Sequence, residues 1–302
     1  MKYIIGTRGS KLALVQTELV IKNLKSAYPQ DEFIAKVIKT TGDMDQKRRL
    51  DEIGSKGIFV KEIEDELLDG TISMAVHSMK DMPDEPAEGL IFAKAWKRED
   101  PRDVLILKKA ESLDELPDRA VIGTGSKRRA YQISAMRPDL KIVSIRGNVD
   151  TRIRKLKEGQ LCEGEILDGI VIAAAGIKRI GRADEITQYL TYDEMIPAPA
   201  QGTLAIELKA DNLALLEKLN ALSDEAAQES VDAERSFLKQ IGGNCHLPVA
   251  AYCDKTDKGL FRLRAMFGTE DGSHLAFADI TDDDTKKIVK RAVEEIRRQL
   301  EK

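Results

Sequence analysis

Short apolar segments alternate with helical patterns over most of this 302-residue chain, and that order limits the fold to few classes. In the N-terminal part, strands are expected at 2–7, 33–40 and 72–77, and helices at 10–27 and 57–69. Ser10 stands where an N-cap of the first helix is preferred. This βαβαβ order predicts a mostly parallel sheet with helices packed against it.

The same order starts again after Pro101 and ends in a different pattern. The second set has strands at 103–107, 120–124, 141–145 and 169–174 and helices at 126–136 and 148–157. Residues 194–202 are rich in proline and cannot be helical throughout. Beyond them we expect strands at 203–208, 247–253, 260–267 and 275–280, and helices at 212–221, 224–240 and 284–300.

These patterns predict two α/β domains followed by an α+β domain. The first domain comprises residues 1–97 and 200–221, the second residues 98–199 and the third residues 222–302. The first two are joined by crossing segments at 96–103 and 194–202. Two crossings between sheet domains are typical of a hinge with a ligand cleft.

Composition argues against several classes of protein. No apolar run approaches the roughly 20 residues that a membrane-spanning helix needs, and the N-terminus lacks the apolar core of a signal peptide. We therefore expect a cytoplasmic protein without a membrane partner. Three cysteines without CxxC spacing and three scattered histidines disfavour a disulfide framework or a metal centre. A net charge of −4 disfavours general nucleic-acid binding.

Against this acidic background, arginines are concentrated in short turns that contain glycine. The turns are GTRGS with Arg8, GTGSKRRA with Arg128 and Arg129, RGNVDTR with Arg146 and Arg152, and AAAGIKRIG with Arg179. Most follow a predicted strand and precede a predicted helix, where free N–H groups and the helix dipole favour anions. A guanidinium adds a planar fork that matches a carboxylate or phosphate. Each turn alone is weak evidence, but together they predict a cleft for a ligand with many negative charges.

Two further segments carry reactive groups, and each has a simpler explanation. AVHSMKDMP (75–83) places Lys80 and Asp81 after a buried strand, either as a solvated pair or as charges at a ligand-binding sheet edge. IGGNCHLPVA (241–250) places Cys245 in a glycine-rich turn, as a buried structural thiol, a nucleophile or an attachment point. His246 is adjacent, and because neighbours in an extended segment point to opposite faces, a Cys–His protease dyad is disfavoured.

Taken together, these segments resemble the hydroxymethylbilane synthase, or porphobilinogen deaminase, family. The matching segments span nearly the whole chain in family order: GTRGSKLAL (6–14), GSKGIFVKEIE (54–64), AVHSMKDMP (75–83), REDPRDVL (98–105), GTGSKRRA (123–130), RGNVDTR (146–152), AAAGIKR (173–179), PAPAQGTLAIE (197–207) and GGNCHLPVAAY (242–252). Two positions depart from the commonest form: Asp150 replaces a frequent glycine, and His246 replaces a frequent glutamine.

The resemblance implies a specific reaction. Four porphobilinogen molecules are joined head to tail with loss of ammonia, and the product is released as the linear tetrapyrrole 1-hydroxymethylbilane. The family carries a dipyrromethane cofactor, which by motif match is bound here through a thioether to Cys245. Asp81 is implied as the catalytic carboxylate. Because each pyrrole ring carries an acetate and a propionate, the growing chain is the kind of polyanion that the arginines predict.

The resemblance also implies the other site residues and the fold. Those implied to bind the cofactor are Lys80, Asp81, Thr124, Ser126, Arg128, Arg129, Arg146 and Cys245. Those implied to bind substrate are Arg8, Ser10, Gln16, Arg146, Arg152, Arg179, Gln201 and Gly202. The family's first two domains resemble type II periplasmic binding proteins, its third domain carries the cysteine on a loop, and it is usually monomeric.

Two rival functions are compatible with parts of the sequence. A non-catalytic carboxylate or phosphate receptor accounts for the arginines but leaves Cys245 without a role. A cysteine hydrolase uses Cys245 but lacks a well-placed histidine. A covalent cofactor adds mass to the polypeptide, so an intact-mass measurement distinguishes the implied enzyme from both rivals.

Overall fold

The computed structural model describes residues 1–40, 60–243 and 247–301. Its strands are β1 Lys2–Thr7, β2 Glu32–Val37, β3 Met74–Ser78, β4 Leu90–Phe92, β5 Asp103–Leu107, β6 Val121–Gly123, β7 Lys141–Val143, β8 Leu161–Cys162, β9 Glu165–Ile166, β10 Gly169–Ala173, β11 Gln188–Tyr189, β12 Leu204–Lys209, β13 Val249–Lys255, β14 Phe261–Gly268 and β15 Leu275–Asp282. Its α-helices are α1 Lys11–Ala27, α2 Lys61–Leu68, α3 Lys127–Met136, α4 Val149–Glu158, α5 Ala174–Arg179, α6 Leu213–Asn220, α7 Glu225–Ile241 and α8 Thr285–Leu300. Single 3-10 turns lie at Met79–Asp81 and Ala183–Glu185.

The described residues form two compact units. The first comprises Met1–Arg98 and Thr203–Gln228, and the second comprises Glu99–Gly202 and Glu229–Lys302. Residues 57–59 of the helix predicted at 57–69 lie outside the described residues, and α2 begins at Lys61. The predicted strands and the other predicted helices are present with ends that differ by a few residues.

The sheet of the first unit has the strand order β2-β1-β3-β12-β4. β1 pairs in parallel with β2 and β3, whereas β12 is antiparallel to β3 and to β4. The expected mostly parallel sheet is therefore present, with one reversed strand. One face packs on α1 through a core that includes Ile5, Val20 and Leu24, because the apolar residues of α1 recur at helical spacing.

The sheet of the second unit has the order β11-β5-β10-β6-β7. β10, β6 and β7 are parallel, and β5 is antiparallel to both of its neighbours. Its two faces are covered by separate cores, one around Ile153 and Leu156 of α4 and one around Ile133 of α3. Apolar cover on both faces explains why strand GIVIA (169–173) is apolar throughout rather than alternating.

The C-terminal part of the second unit is an antiparallel three-stranded sheet, β13-β14-β15, with α8 packed on it. Ile288, Ala292 and Ile296 are fully buried at helical spacing on the packed face of α8. Phe237 of α7 enters the same core. The predicted α/β class of the first two regions and α+β class of the third are thus confirmed. No helix among the described residues is both long and apolar enough to span a bilayer.

Candidate active site

The carboxyl edge of the first sheet carries the expected charged residues of that unit. β1 and β3 are parallel neighbours with Ile5 opposite Met74, so the residues that follow them emerge at one edge. Arg8 follows β1 and is half-buried, and Asp81 follows β3 and is exposed. The sheet therefore places a cationic turn and an acidic turn at the same edge.

The turn that displays Asp81 is fixed by buried neighbours on either side. The Met79 N–H donates to the Thr203 carbonyl at 3.0 Å, and the Met82 N–H donates to the Met79 carbonyl at 3.1 Å. Both methionine side chains are buried, whereas Lys80 is half-buried. Anchoring by two buried side chains limits the motion of this backbone, so the Asp81 carboxylate is presented from a defined position.

Two other predicted residues of the first unit lie close to this turn in the chain fold. Gln16 is buried on α1, and its Nε2 donates to Ser78 Oγ at 3.0 Å. Ser10 Oγ accepts from the Ala13 N–H at 3.3 Å and caps α1. Its oxygen therefore already stabilises a helix N-terminus, one of the structural roles that sequence predicted.

The carboxyl edge of the second sheet gathers three of the expected segments and one residue that was not expected. Thr124 follows β6, Arg146 follows β7, and Arg179 lies beyond β10. Because β5 runs antiparallel, its first residue, Asp103, pairs with Ala173 at the end of β10. Asp103 therefore lies at the same edge of the sheet, although it is the first residue of its strand and not the residue that follows it.

Asp103 is the centre of a buried group formed with Arg128, Arg129 and Gln201, here called the Asp103 cluster. Arg128 Nη1 donates to Asp103 Oδ2 at 2.7 Å, and Arg129 Nε donates to Asp103 Oδ1 at 2.9 Å. Gln201 Nε2 donates to the same Oδ1 at 3.0 Å. Burial raises the pKa of the Asp103 carboxyl, but Arg128 and Arg129 outweigh it and hold that pKa well below its usual range.

The glycine-containing turn before α3 brings Thr124 and Ser126 together. Thr124 is buried, and its Oγ1 accepts from the Ser126 N–H at 3.3 Å. A Cβ at Gly125 would lie 3.1 Å from the Ile145 carbonyl and 4.0 Å from Arg152 Nη2. The turn after β6 and the first turn of α4 therefore approach each other closely.

The turn after β7 keeps one guanidinium half-buried and one exposed. Arg152 is half-buried and its Nε donates to the Gly147 carbonyl at 2.8 Å, whereas Arg146 is exposed. Asp150 Oδ1 accepts from Arg182 Nη1 at 3.2 Å. The departure at Asp150 thus forms an ion pair beside the site.

Arg179 differs from the expectation that it lies in a turn, since it is the last residue of helix α5. Its Nη2 donates to the Gly202 carbonyl at 2.6 Å, while its buried Nε has no hydrogen-bond partner among the described residues. Burial lowers the pKa of Arg179 to about 10, although Glu99 raises it. A buried guanidinium with an unsatisfied donor is stabilised by a ligand that brings a carboxylate. The implied cofactor and substrate both carry carboxylates, so Arg179 fits them.

Cys245, the predicted attachment residue, lies outside the described residues, as does His246. α7 ends at Ile241 before this segment and β13 begins at Val249 after it. Cys162 and Cys253 are both buried. These two thiols are poorly placed to react with a soluble ligand.

Each of the two units is an α/β sheet with charged residues at its carboxyl edge, a fold class in which ligands bind at that edge. Residues 3–217 match the porphobilinogen deaminase dipyromethane cofactor binding domain, and residues 228–298 match the porphobilinogen deaminase C-terminal domain. The porphobilinogen deaminase of Lachnospira eligens is 56% identical over 95% of this chain and 96% of its own length. That of Clostridioides difficile is 52% identical over 94% of this chain and 92% of its own length. The chain belongs to the porphobilinogen deaminase family.

The similarity to solved structures is more distant. They include the methionine-binding protein MetQ, at 13% identity over 76% of this chain and 90% of that chain, with a TM-score of 0.44. An arginine-specific periplasmic binding protein of Salmonella typhimurium is matched at 15% identity over 75% of this chain and 93% of that chain, with a TM-score of 0.41.

The sequence analysis missed Asp103, which lies within the quoted segment REDPRDVL (98–105). The sequence does show an acidic residue directly before the apolar run 104–107. Because a charge at the start of a buried strand needs a partner, this pattern could have indicated a buried ion pair. Its partners lie 25 and 26 residues further along the chain, and that pairing required the sheet topology.

Proposed function

We propose that Asp81, the arginine-rich segments and Cys245 carry out the reaction that family membership assigns to this chain. The chain is a transferase of tetrapyrrole biosynthesis, a hydroxymethylbilane synthase, and residues 3–217 contain its dipyrromethane cofactor-binding domain. It condenses four porphobilinogen molecules stepwise, with release of ammonia, into 1-hydroxymethylbilane. The dipyrromethane, when bound, supplies the pyrrole carbon that attacks the first substrate.

The role of the arginines is supported above all by Arg179, whose buried Nε has no hydrogen-bond partner in the part of the chain that the structure describes. A charged donor that is removed from water without a partner is costly, and a substrate carboxylate removes that cost. We assign Arg179 to a substrate carboxylate, with Gln201 and Gly202 beside it. The other residues in the same proposed role are Arg8, Ser10, Gln16, Arg146 and Arg152.

The cofactor carboxylates are assigned to the turns around α3 and to the Asp81 turn. The proposed ligands are Lys80, Asp81, Thr124, Ser126, Arg128, Arg129 and Arg146. Ser126 supports this role because it stands at the N-cap of α3 and its side chain makes no capping bond there. A hydroxyl and the free N–H groups of a helix start together suit a carboxylate.

Asp81 is assigned to the cationic pyrroles that appear when ammonia leaves. Its carboxylate is exposed on a turn with buried anchors, so it can approach pyrrole N–H groups without moving its backbone. A preorganised charge of this kind stabilises a developing cation by about 4 kcal/mol at ~4 Å and intermediate dielectric.

Cys245 is assigned as the thioether attachment site, and intact mass tests this together with the function. The parent protein should carry the mass of a dipyrromethane, and Cys245→Ala should lack both that mass and activity. Cys162→Ala is the matched control, because Cys162 is a free thiol that should not bear the adduct. No adduct on the parent would favour the anion-receptor or hydrolase alternatives, and an adduct mapped to Cys162 or Cys253 would make the assignment wrong.

Finer aspects of the protein are proposed on the same basis. The division into residues 1–97 with 200–221, 98–199 and 222–302 is proposed as three domains, with the third carrying Cys245. We also propose a cytoplasmic monomer that acts on porphobilinogen and has no nucleic-acid or membrane partner. Light scattering on the purified protein tests the monomer directly, since a dimer would double the measured mass.

A further inference from the structure

The Asp103 cluster contains more positive than negative charge. Arg128 and Arg129 are 5% and 6% exposed, and Asp103 and Gln201 are fully buried. Burial lowers the pKa of Arg128, Asp103 raises it, and Arg129 lowers it again. Asp103 is the carboxylate that both Arg128 and Arg129 contact. Two guanidiniums therefore share a single carboxylate, and the buried cluster keeps one excess positive charge.

The same contacts fix the directions of both guanidiniums. Arg128 Nη1 donates to Asp103 and to the Ile196 carbonyl, each at 2.7 Å. Arg129 uses Nε and Nη2 toward Asp103 Oδ1, at 2.9 and 2.8 Å. A planar guanidinium held along two of its N–H directions cannot rotate freely, so its remaining donors point in set directions.

Gln201 connects this acid to the proposed substrate segment. Its Nε2 donates to Asp103 Oδ1 at 3.0 Å and to the Pro101 carbonyl at 2.7 Å. The next residue, Gly202, accepts from Arg179 through its carbonyl. The Asp103 carboxylate thus contacts Arg128 and Arg129, two of the three arginines assigned to the cofactor. It also contacts Gln201, which directly precedes Gly202, the residue that Arg179 contacts.

We infer that Asp103 is a positioning residue for cofactor loading. It aligns Arg128 and Arg129, neutralises one of their two charges, and leaves one net positive charge for one carboxylate of the dipyrromethane. Asp103 touches neither cofactor nor substrate in this role. The inference rests on the proposed assignment of Arg128 and Arg129 to the cofactor.

The test is the rate at which full-length apoprotein, produced without porphobilinogen, gains the adduct mass when porphobilinogen is added. Asp103→Asn removes the charge and turns one acceptor into a donor, and it should slow loading at least tenfold, about 1.4 kcal/mol. Asp103→Glu keeps the charge but moves it by one methylene, and its rate should fall between those of Asp103→Asn and the parent. Each variant is measured at the same interval below its own unfolding temperature.

Asp168→Asn is the matched control for a purely structural carboxylate. Asp168 Oδ2 accepts from the Val121 N–H at 2.8 Å in the same sheet but does not contact the cluster, so this variant should load within about threefold of the parent, below about 0.7 kcal/mol. If Asp103→Asn does not fold, Asp103→Glu decides, and a parental loading rate for it overturns the inference.

Arg129→Met separates the inference from the function on which it rests. If Arg129→Met loads slowly while Asp103→Asn loads at the parental rate, the inference about Asp103 is overturned and the proposed role of Arg129 is retained. Parental loading of Arg129→Met would instead overturn the proposed role of the arginines. Slow loading of Arg129→Met and both Asp103 variants, with a parental control, is the result expected.

Discussion

The two five-stranded sheets have the same strand order, but the segments after their central strands end in residues of opposite charge. One is ordered β2-β1-β3-β12-β4 and the other β7-β6-β10-β5-β11, and in each the fourth strand is antiparallel to its neighbours. The central strand leads to the exposed Asp81 in the first sheet and to the partly buried Arg179 in the second. The same topology therefore presents a carboxylate in one unit and a guanidinium in the other.

The reversed strands show the same contrast. β12 begins with Leu204 opposite Ser78, whereas β5 begins with Asp103 opposite Ala173. Leu204, at the start of β12, packs against the apolar core. Asp103, at the start of β5, binds two buried arginines. The comparison shows a buried carboxylate with two arginines at the second sheet edge and an exposed carboxylate at the first. In the proposed function, most of the cofactor-binding arginines lie at the second edge and the group that stabilises cations lies at the first.

The largest predicted effect on stability is at Asp103. Removing the acid from a buried ion cluster leaves guanidiniums uncompensated, so Asp103→Asn should lower the free energy of unfolding by about 3–5 kcal/mol. Asp81→Asn, on an exposed turn, should leave the urea midpoint unchanged. Equal losses for the two variants would remove the contrast between a buried and an exposed carboxylate.

The same pair predicts a pH dependence. The pKa of Asp103 is lower in the folded protein than in the unfolded chain. The ionised carboxylate therefore contributes its full stabilisation of the fold above the usual carboxyl pKa of about 3.9, and this stabilisation declines at lower pH. The stability difference between the parent and Asp103→Asn should stay constant from about pH 6 to 8 and shrink below about pH 4. A difference that grows toward acid pH would have the wrong sign.

Asp81→Asn should instead affect chemistry. The amide keeps the shape but not the charge, so each condensation on the cofactor-loaded variant should lose about 2–4 kcal/mol of transition-state stabilisation, or roughly thirty- to a thousand-fold in rate. Single-turnover kinetics measures this step. A rate within about threefold of the parent would make Asp81 a structural residue.

Arg179→Met tests whether the second sheet edge holds substrate as well as cofactor. Loss of one charge-assisted contact of about 1.5–3 kcal/mol should raise KM roughly ten- to 150-fold, while the adduct mass remains. Arg298→Met is the matched control, because Arg298 pairs with Glu295 on the surface of α8, outside the proposed site. Similar small changes in KM for both variants would remove Arg179 from the site.

The smallest predicted effect concerns the support of α3 by the β14–β15 hairpin. A Cβ at Gly272, whose φ is +72°, would lie 2.6 Å from Tyr131 ring atoms, so Gly272→Ala should cost about 1–3 kcal/mol of stability without loss of the adduct. Gly259 has a φ of +75° with nothing near its Cβ position. Gly259→Ala should therefore cost less, and equal losses would show that the contact with Tyr131 has no effect.

Sequence patterns predicted those parts of the fold that depend on local periodicity. The apolar spacing of α8 and the short apolar strands are local, and the structure confirms them. The reversal of β5 and β12 depends on pairing between distant segments, so the sequence could not reveal it. Short strands such as β4 and β11 were missed because two or three residues carry no periodic signal.

The candidate site divides in the same way. The turn that carries Asp81 was found because it directly follows a strand that is apolar and buried. The burial of Arg128 and Arg129 was not foreseen, since their partner Asp103 belongs to another strand. Arg179 was expected in a turn, but the small residues Ala174, Ala175 and Gly176 continue as a helix.

The division between a holding edge and a reacting edge is tested most directly by intact mass on Asp81→Asn and Arg128→Leu prepared side by side. Asp81→Asn should keep most of the dipyrromethane mass and yet condense porphobilinogen slowly. Arg128→Leu should lack most of that mass. A loaded Arg128→Leu beside an unloaded Asp81→Asn would contradict the account, because the holding and reacting roles would then lie on the opposite sheets.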